Sequence, residues 1–395
     1  MNIDRLNALL RRGGYDAIVA TSFPNVFYST GFASLGQKTI AGTKVFSVVL
    51  PGNPPRVTAV FPVGEADLAV EELRDGIEVW PFGKFFIEGA DPALPGTDGK
   101  LSRALASVRG SAAIETLVDL LKHLGLQGCK VAVDESGLTP QEWNALAGSF
   151  RGAIAPAFAA WKEIRTVKTA GEIGRLKRAA EITCAAMDHS LAAAREGMTE
   201  VELAAVYEKY LLDNGAATIL SVVLFGTHSA YPNGLPGNRR LKKGDIIRLD
   251  AGCVYQGYHA DLARIALFGE PDRRTRDRAL TYHKAALEGV RKAVAAMRPG
   301  VPPEKLFGVA VDTTRKEGIP HFKRTHVGHG IGAEIYDPPM LREGITTPLE
   351  PGMVFCVETP YYELGFGGIQ VEDTVVVTEK GAEYLSPPSK EMEVL

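Results

Sequence analysis

Two acidic residues set inside apolar, strand-forming sequence constrain this chain more than anything else in it. The stretch DIIRLDAGCVYQGYHADLARIAL, residues 245–267, has an apolar, β-branched run ending at Asp250, a turn-forming middle at Tyr255, Gln256 and Gly257, and a second apolar run after Asp261. That pattern predicts two adjacent antiparallel strands, each carrying one acid towards the same side. A carboxylate at an inward strand position is costly unless it is paired or bound to a metal, and two facing carboxylates also repel. Taken alone, the pair is equally compatible with a surface hairpin whose acids are solvated.

A second acid pair repeats the design. MVFCVETPYYELGFGGIQVEDTVVV, residues 353–377, gives a strand ending in Glu358, a Gly-rich turn at Gly365, Gly367 and Gly368, and a strand carrying Glu372. Between the hairpins, THVGHGIGAEIYDPP places His329 between two glycines, where the backbone can approach a ligand closely and the imidazole is uncrowded. Four carboxylates and one neutral imidazole carry a formal charge of about −4, which two divalent cations would balance. An oxygen-rich set with one nitrogen suits manganese, cobalt, zinc or iron rather than a Cys-rich structural zinc site. The expectation is a two-metal hydrolytic centre.

Asp250, Asp261, the His329 of GHGIG, Glu358 and Glu372 occur in that order, with 11 residues from Asp250 to Asp261, 29 from His329 to Glu358 and 14 from Glu358 to Glu372. In this they resemble the five-ligand pattern of the pita-bread metallopeptidases, family M24, which includes Xaa-Pro dipeptidases (prolidases), aminopeptidase P and methionine aminopeptidase. The separations look most like those of prolidases. The segment ATSFPNVFYSTGF, residues 20–32, resembles the amino-terminal domain of creatinase and prolidase relatives.

The resemblance implies an α/β N-terminal domain over 1–160 and an α+β pita-bread catalytic domain over 161–395. It implies two divalent ions held by Asp250, Asp261, His329, Glu358 and Glu372, with hydrolysis of the amide bond of small peptides by a water bridging the metals. It gives Glu358 a second role as proton shuttle and makes Tyr362, or the adjacent Tyr361, an oxyanion stabiliser. A homodimer is implied as well.

The chain departs from the family around this core. Asn233 stands where relatives carry a histidine, Tyr336 replaces another seven residues after the ligand histidine, and Met340 and Gln370 occupy two arginine positions. Thr325 replaces a prolidase histidine, with His326 one step along. Asn233 and Tyr336 can hydrogen-bond a substrate but cannot carry an imidazole's charge. His228, His259 or His326 is then a candidate replacement imidazole, and Arg342 a candidate clamp for the substrate carboxylate. Xaa-Pro dipeptides are the expected substrates, with longer peptides or a non-peptide amide or amidine as alternatives.

The remaining sequence bounds this reading. At 395 residues two domains are expected, and a net charge of −3 gives no reason to expect nucleic acid or membrane as a partner. Cys129, Cys184, Cys253 and Cys356 lack CxxC spacing and read as reduced core residues. The start, MNIDRLNALLRRGG, is amphipathic without an apolar signal core, so a cytoplasmic protein is expected. Helices are expected at 3–13, 65–74, 114–124, 141–147, 170–196, 199–214, 274–296 and 303–317. Residues 83–99 read as a loop.

Overall fold

A computed structural model describes all 395 residues, which divide into two compact units, Met1–Arg165 and Thr166–Leu395. The first is built on six strands: β1 (Ala17–Ala20), β2 (Phe46–Leu50), β3 (Arg56–Pro62), β4 (Glu78–Phe82), β5 (Lys130–Val133) and β6 (Ala153–Pro156), in the order β4-β3-β2-β1-β5-β6. β2 runs antiparallel to β1 and β3, while β3–β4, β1–β5 and β5–β6 are parallel. The helix Ile3–Gly13 forms because Leu6, Leu9 and Leu10 share one face. The Asn2 side chain accepts from Arg5 N at its start, and Gly14 closes its end at φ 61°. The helix Ala113–His123 contributes Leu117, Leu120 and Leu121 to one core with Val19, Val131 and Val133.

The helix Gly96–Ala106 begins inside the stretch read as a loop. Pro95, Gly96 and Gly99 hide it, and it buries only Gly99, Ser102 and Ala104, so no apolar stripe betrays it.

The second unit carries β7 (Ala217–Phe225), β8 (Ile246–Tyr255), β9 (Tyr258–His259), β10 (Leu262–Leu267), β11 (Gly328–Gly330), β12 (Asp337–Met340), β13 (Val354–Glu358), β14 (Tyr361–Glu363), β15 (Gly367–Ile369) and β16 (Glu372–Thr378). An antiparallel path runs β12-β11-β13-β16-β10-β8-β7. Helices Ala170–Ala193 and Glu200–Asp213 open with capping boxes, Thr169 with Glu172 and Thr199 with Glu202. Helices Arg273–Ala296 and Pro303–Glu317 bring Ala286, Val290, Leu306 and Ala310 into one core with Ile265, Leu267, Phe355, Val357 and Val375.

The first acid hairpin turns at Gln256 (φ 47°) and Gly257 (φ 77°), the paired left-handed conformation of a tight two-residue hairpin. β8 continues past Asp250 to Tyr255 because Ala251, Gly252 and Cys253 are also buried. The second acid pair is joined by more than a turn: β14 and β15 form a separate two-stranded hairpin between Glu358 and Glu372. No helix is long and apolar enough to cross a membrane.

A candidate metal centre

Strand register builds the site. Asp250 on β8 lies opposite Ala263 on β10, Ala263 opposite Glu372 on β16, and Glu372 opposite Glu358 on β13. Directly opposed residues share a sheet face, so three acids and one small residue form a row across four strands. Asp261, two residues before Ala263, extends that face. His329 on β11 pairs with Cys356, two residues before Glu358.

The result is a compact cluster. Carboxylate oxygens of Asp250, Asp261 and Glu372 lie within 4.8 Å of one another, as do the potential ligand atoms of His329, Cys356 and Glu372. His329 Nε2 is 3.6 Å from Asp261 Oδ2, and its Nδ1 faces the Gly330 carbonyl at 3.0 Å. Gly328 and Gly330 serve the neighbouring strands rather than a ligand: a Cβ at Gly328, where φ is 140°, would strike the Cys356 carbonyl, and one at Gly330 the Asp337 carbonyl.

The acids lack a cation sufficient to balance them. Burial, then repulsion from Asp261, lifts the Asp250 carboxyl to about 7 in spite of Arg248. Burial and the neighbouring acids push Glu372 well above the carboxylate range and raise Asp261. Glu358 differs: burial would raise it, but His326, Arg324 and His329 together hold it below its ordinary value. Asp261 Oδ1 is buried without a hydrogen-bond partner. A buried, self-repelling set of four carboxylates and one imidazole, with a lone pair left unsatisfied, fits divalent cations held through oxygen and one nitrogen. Cys356 does not add a ligand of the same kind, because burial holds its thiol far from ionisation and its Sγ faces the Asp261 carbonyl at 3.5 Å.

The surrounding groups sort by distance. His326 Nδ1 lies 3.1 Å and Arg324 Nη2 3.9 Å from Glu358, so both stand beside the carboxylate. The Tyr362 hydroxyl accepts from Arg248 Nη1 at 3.1 Å and donates to Gln370 Oε1 at 3.1 Å. Tyr361 instead donates to Glu363. Tyr336 stacks on His329 with ring centroids 3.9 Å apart.

Of the other candidates, His259 acts electrostatically on Asp261. His228 is held through Nδ1 by buried Glu200 at 2.9 Å, and His259 faces the Gly332 carbonyl at 3.1 Å. Asn233 is exposed, immediately after Pro232, whose carbonyl accepts from Arg248. Arg342 is exposed two residues beyond Met340, the cross-strand partner of His329.

Two arginines in this cluster escaped the sequence reading. Arg248 is two residues before Asp250 and therefore on the same strand face, a signal present in IIRLD but submerged in the apolar run. Arg324 lies in a loop, where no periodicity gives it a direction.

Residues 174–379 match the description Metallopeptidase family M24, and residues 2–167 match Creatinase/Prolidase N-terminal domain. An Xaa-Pro dipeptidase of Pyrococcus furiosus is 31% identical over 233 residues, 58% of this chain and 66% of that protein, just under two thirds of its length. Among solved structures, an Xaa-Pro dipeptidase from Bacillus anthracis superposes with a TM-score of 0.78 at 25% identity, covering 100% of this chain and 99% of the other. An X-Pro aminopeptidase from Thermotoga maritima gives 0.79 at 26% identity, covering 99% of each.

Proposed function

The chain belongs to metallopeptidase family M24, with a creatinase-type N-terminal domain and a pita-bread catalytic domain, and from that premise we propose that it hydrolyses the amide bond of small peptides, Xaa-Pro dipeptides first among them. The observation that carries the proposal is the row Asp250–Ala263–Glu372–Glu358 with Asp261 and His329 beside it. Asp250, Asp261, His329, Glu358 and Glu372 would hold two divalent ions, with manganese, cobalt and zinc the candidates. Such ions, when bound, polarise the scissile carbonyl and acidify water until it is a usable nucleophile near neutral pH.

The residues of the chain do the rest. Glu358, kept ionised by His326 and Arg324, takes the proton of the attacking water on a carboxylate oxygen and delivers it to the leaving nitrogen. Tyr362 offers its hydroxyl hydrogen to the oxygen that gains charge as the carbonyl carbon becomes tetrahedral. Tyr336, flat against His329, fixes that imidazole, while Asn233, His228 and Arg342 are proposed to meet the substrate. The protein is proposed to act as a cytoplasmic homodimer.

Tyr362→Phe is expected to lower kcat by about 100-fold, the scale of losing one oxyanion donor, with KM little changed. Steady-state kinetics on one Xaa-Pro dipeptide checks this; an unchanged kcat removes Tyr362 from the mechanism. The substrate class is tested with Xaa-Pro dipeptides, the same dipeptides amidated at the C-terminus, Xaa-Pro-Xaa tripeptides and non-proline amides. Preference for free dipeptides supports the dipeptidase reading; preference for the longer peptides makes it an aminopeptidase; cleavage only of non-peptide amides overturns both.

A further inference from the structure

We propose that Arg248 is a positioning residue whose buried guanidinium locks Tyr362, Asp250 and the 231–232 segment into one unit, fixing the Tyr362 hydroxyl as a donor. The inference deepens the hydrolytic reading and rests on it for what Tyr362 does. Its own support is geometric. The Arg248 side chain is 0% exposed, so its hydrogen bonds must be found inside the protein.

They are found on two strands, β8 and β14, and on the segments that carry Gln370 and residues 231–232. Nη1 lies 2.9 Å from Gln370 Oε1, 3.1 Å from the Tyr362 hydroxyl and 3.5 Å from Asp250 Oδ2. Nη2 donates to the Tyr231 carbonyl at 2.6 Å and the Pro232 carbonyl at 3.1 Å. The guanidinium also lies 5.0 Å from the centre of the Tyr362 ring. Nε has no hydrogen-bond partner, so the bonding is concentrated on the two terminal nitrogens.

The direction of these bonds matters. A guanidinium can only donate. Where Arg248 Nη1 bonds the Tyr362 oxygen, that oxygen is the acceptor, and its hydrogen must point elsewhere. In the free protein it points at Gln370 Oε1, 3.1 Å away. The Gln370 amide is itself oriented, because its Nε2 faces Glu372 Oε2 at 3.4 Å. With that oxygen already accepting from Arg248, the phenol can meet an oxyanion arriving beside it only as a donor, its hydrogen exchanging Gln370 Oε1 for the new acceptor. Without the arginine, the phenol can rotate or accept instead, and the carbonyls of residues 231 and 232 lose the group that tethers the loop leading to Asn233.

The geometry also supplies a transplant. Gln370 stands two residues before Glu372 as Arg248 stands two before Asp250, and the tips of the two side chains touch. A guanidinium grown from position 370 reaches the same space. The test compares wild type, Arg248→Met and Arg248→Met/Gln370→Arg, each with 3-fluorotyrosine at position 362, with Arg248→Lys as a milder single variant should the methionine protein not fold.

In metal-free protein, the ¹⁹F resonance of residue 362 is expected to be single and sharp in wild type, shifted and broadened in Arg248→Met or Arg248→Lys, and sharp again in the double variant. In metal-loaded protein without the fluorine label, kcat for an Xaa-Pro dipeptide is expected to fall by about 10–100-fold in the single variant, as for loss of other outer-sphere partners, and to recover at least tenfold in the double variant. KM is expected to change by no more than a few-fold, through the loosened 231–232 segment, against the larger loss of kcat. A single variant with the wild-type resonance and kcat overturns the inference, and so does a transplant as impaired as the single variant in both measurements. If wild type cleaves no peptide, the hydrolytic reading of the site fails, and the ¹⁹F comparison still decides whether Arg248 positions Tyr362.

Discussion

Glu372→Gln is expected to abolish peptide hydrolysis and, in the absence of metal, to make the protein more stable. Glu372 is opposed by Glu358 across the strand pair and belongs to both of the possible ligand clusters. Removing its charge takes away a carboxylate that would hold metal and is common to both clusters, so the loss of kcat should exceed the roughly 10–100-fold typical of an outer-sphere partner. The stability effect has the opposite sign for the same reason. Burial and the neighbouring Asp261, Glu358 and Asp250 push the Glu372 carboxyl well above its ordinary range, so ionising it in the empty site is unfavourable. An amide of the same shape has no charge to bury, and a gain on the order of a few kcal/mol in metal-free protein at pH 8 is expected from the raised carboxyl. Thermal unfolding of the two metal-free proteins checks it. A lower midpoint for Glu372→Gln would mean that the carboxylate is well satisfied without a cation.

The stability of metal-free protein should fall as pH rises, and metal should cancel the slope. Asp250 is lifted from its ordinary value to about 7, and Asp261 and Glu372 are also raised. The folded protein therefore holds protons that the unfolded chain has already released above about pH 4. Because the folded state binds more protons, stability decreases with rising pH through this window, which runs from about pH 4 to about 7 for Asp250 and further up for Glu372. The change at pH 8 relative to pH 5 should be on the order of a few kcal/mol. Glu358 and Asp134, whose values are lowered, act in the opposite sense only at lower pH, whereas His283, lowered by burial to about 4, opposes the slope between about pH 4 and 6.5 without reversing it. Divalent metal binds the deprotonated acids, so its affinity rises with pH and saturating metal should flatten or reverse the slope. Unfolding midpoints from pH 5 to 8, with chelator and with manganese, check this; a metal-free protein most stable at pH 8 would contradict it.

The acids were legible because β-strand periodicity is rigid: an acid at an inward position of an apolar strand has few explanations, and two such hairpins with a histidine between them have fewer. Ala263 could be read only afterwards, since nothing in a lone alanine says that it sits between Asp250 and Glu372. Long helices such as Ala170–Ala193 and Pro303–Glu317 were legible from apolar stripes. Gly96–Ala106 was not, because its glycines and its thin buried face resemble a loop. The groups around the acids were the least visible. Tyr362 and Tyr361 are neighbours in sequence, and only the strand β14 separates their partners, Arg248 and Gln370 for one and Glu363 for the other. Arg248 meets Gln370 across 122 residues of chain, a distance that local pattern cannot bridge.

Whether these five residues form a two-metal hydrolytic centre is read from the metal content at which activity returns. Protein stripped with chelator is titrated with manganese, cobalt or zinc while bound metal and cleavage of an Xaa-Pro dipeptide are measured on the same samples. No cleavage is expected without metal and full cleavage at two equivalents per chain, with Glu372→Gln binding less metal and remaining inactive. Cleavage that survives complete stripping, or a chain that binds no divalent metal at these five residues, would contradict it.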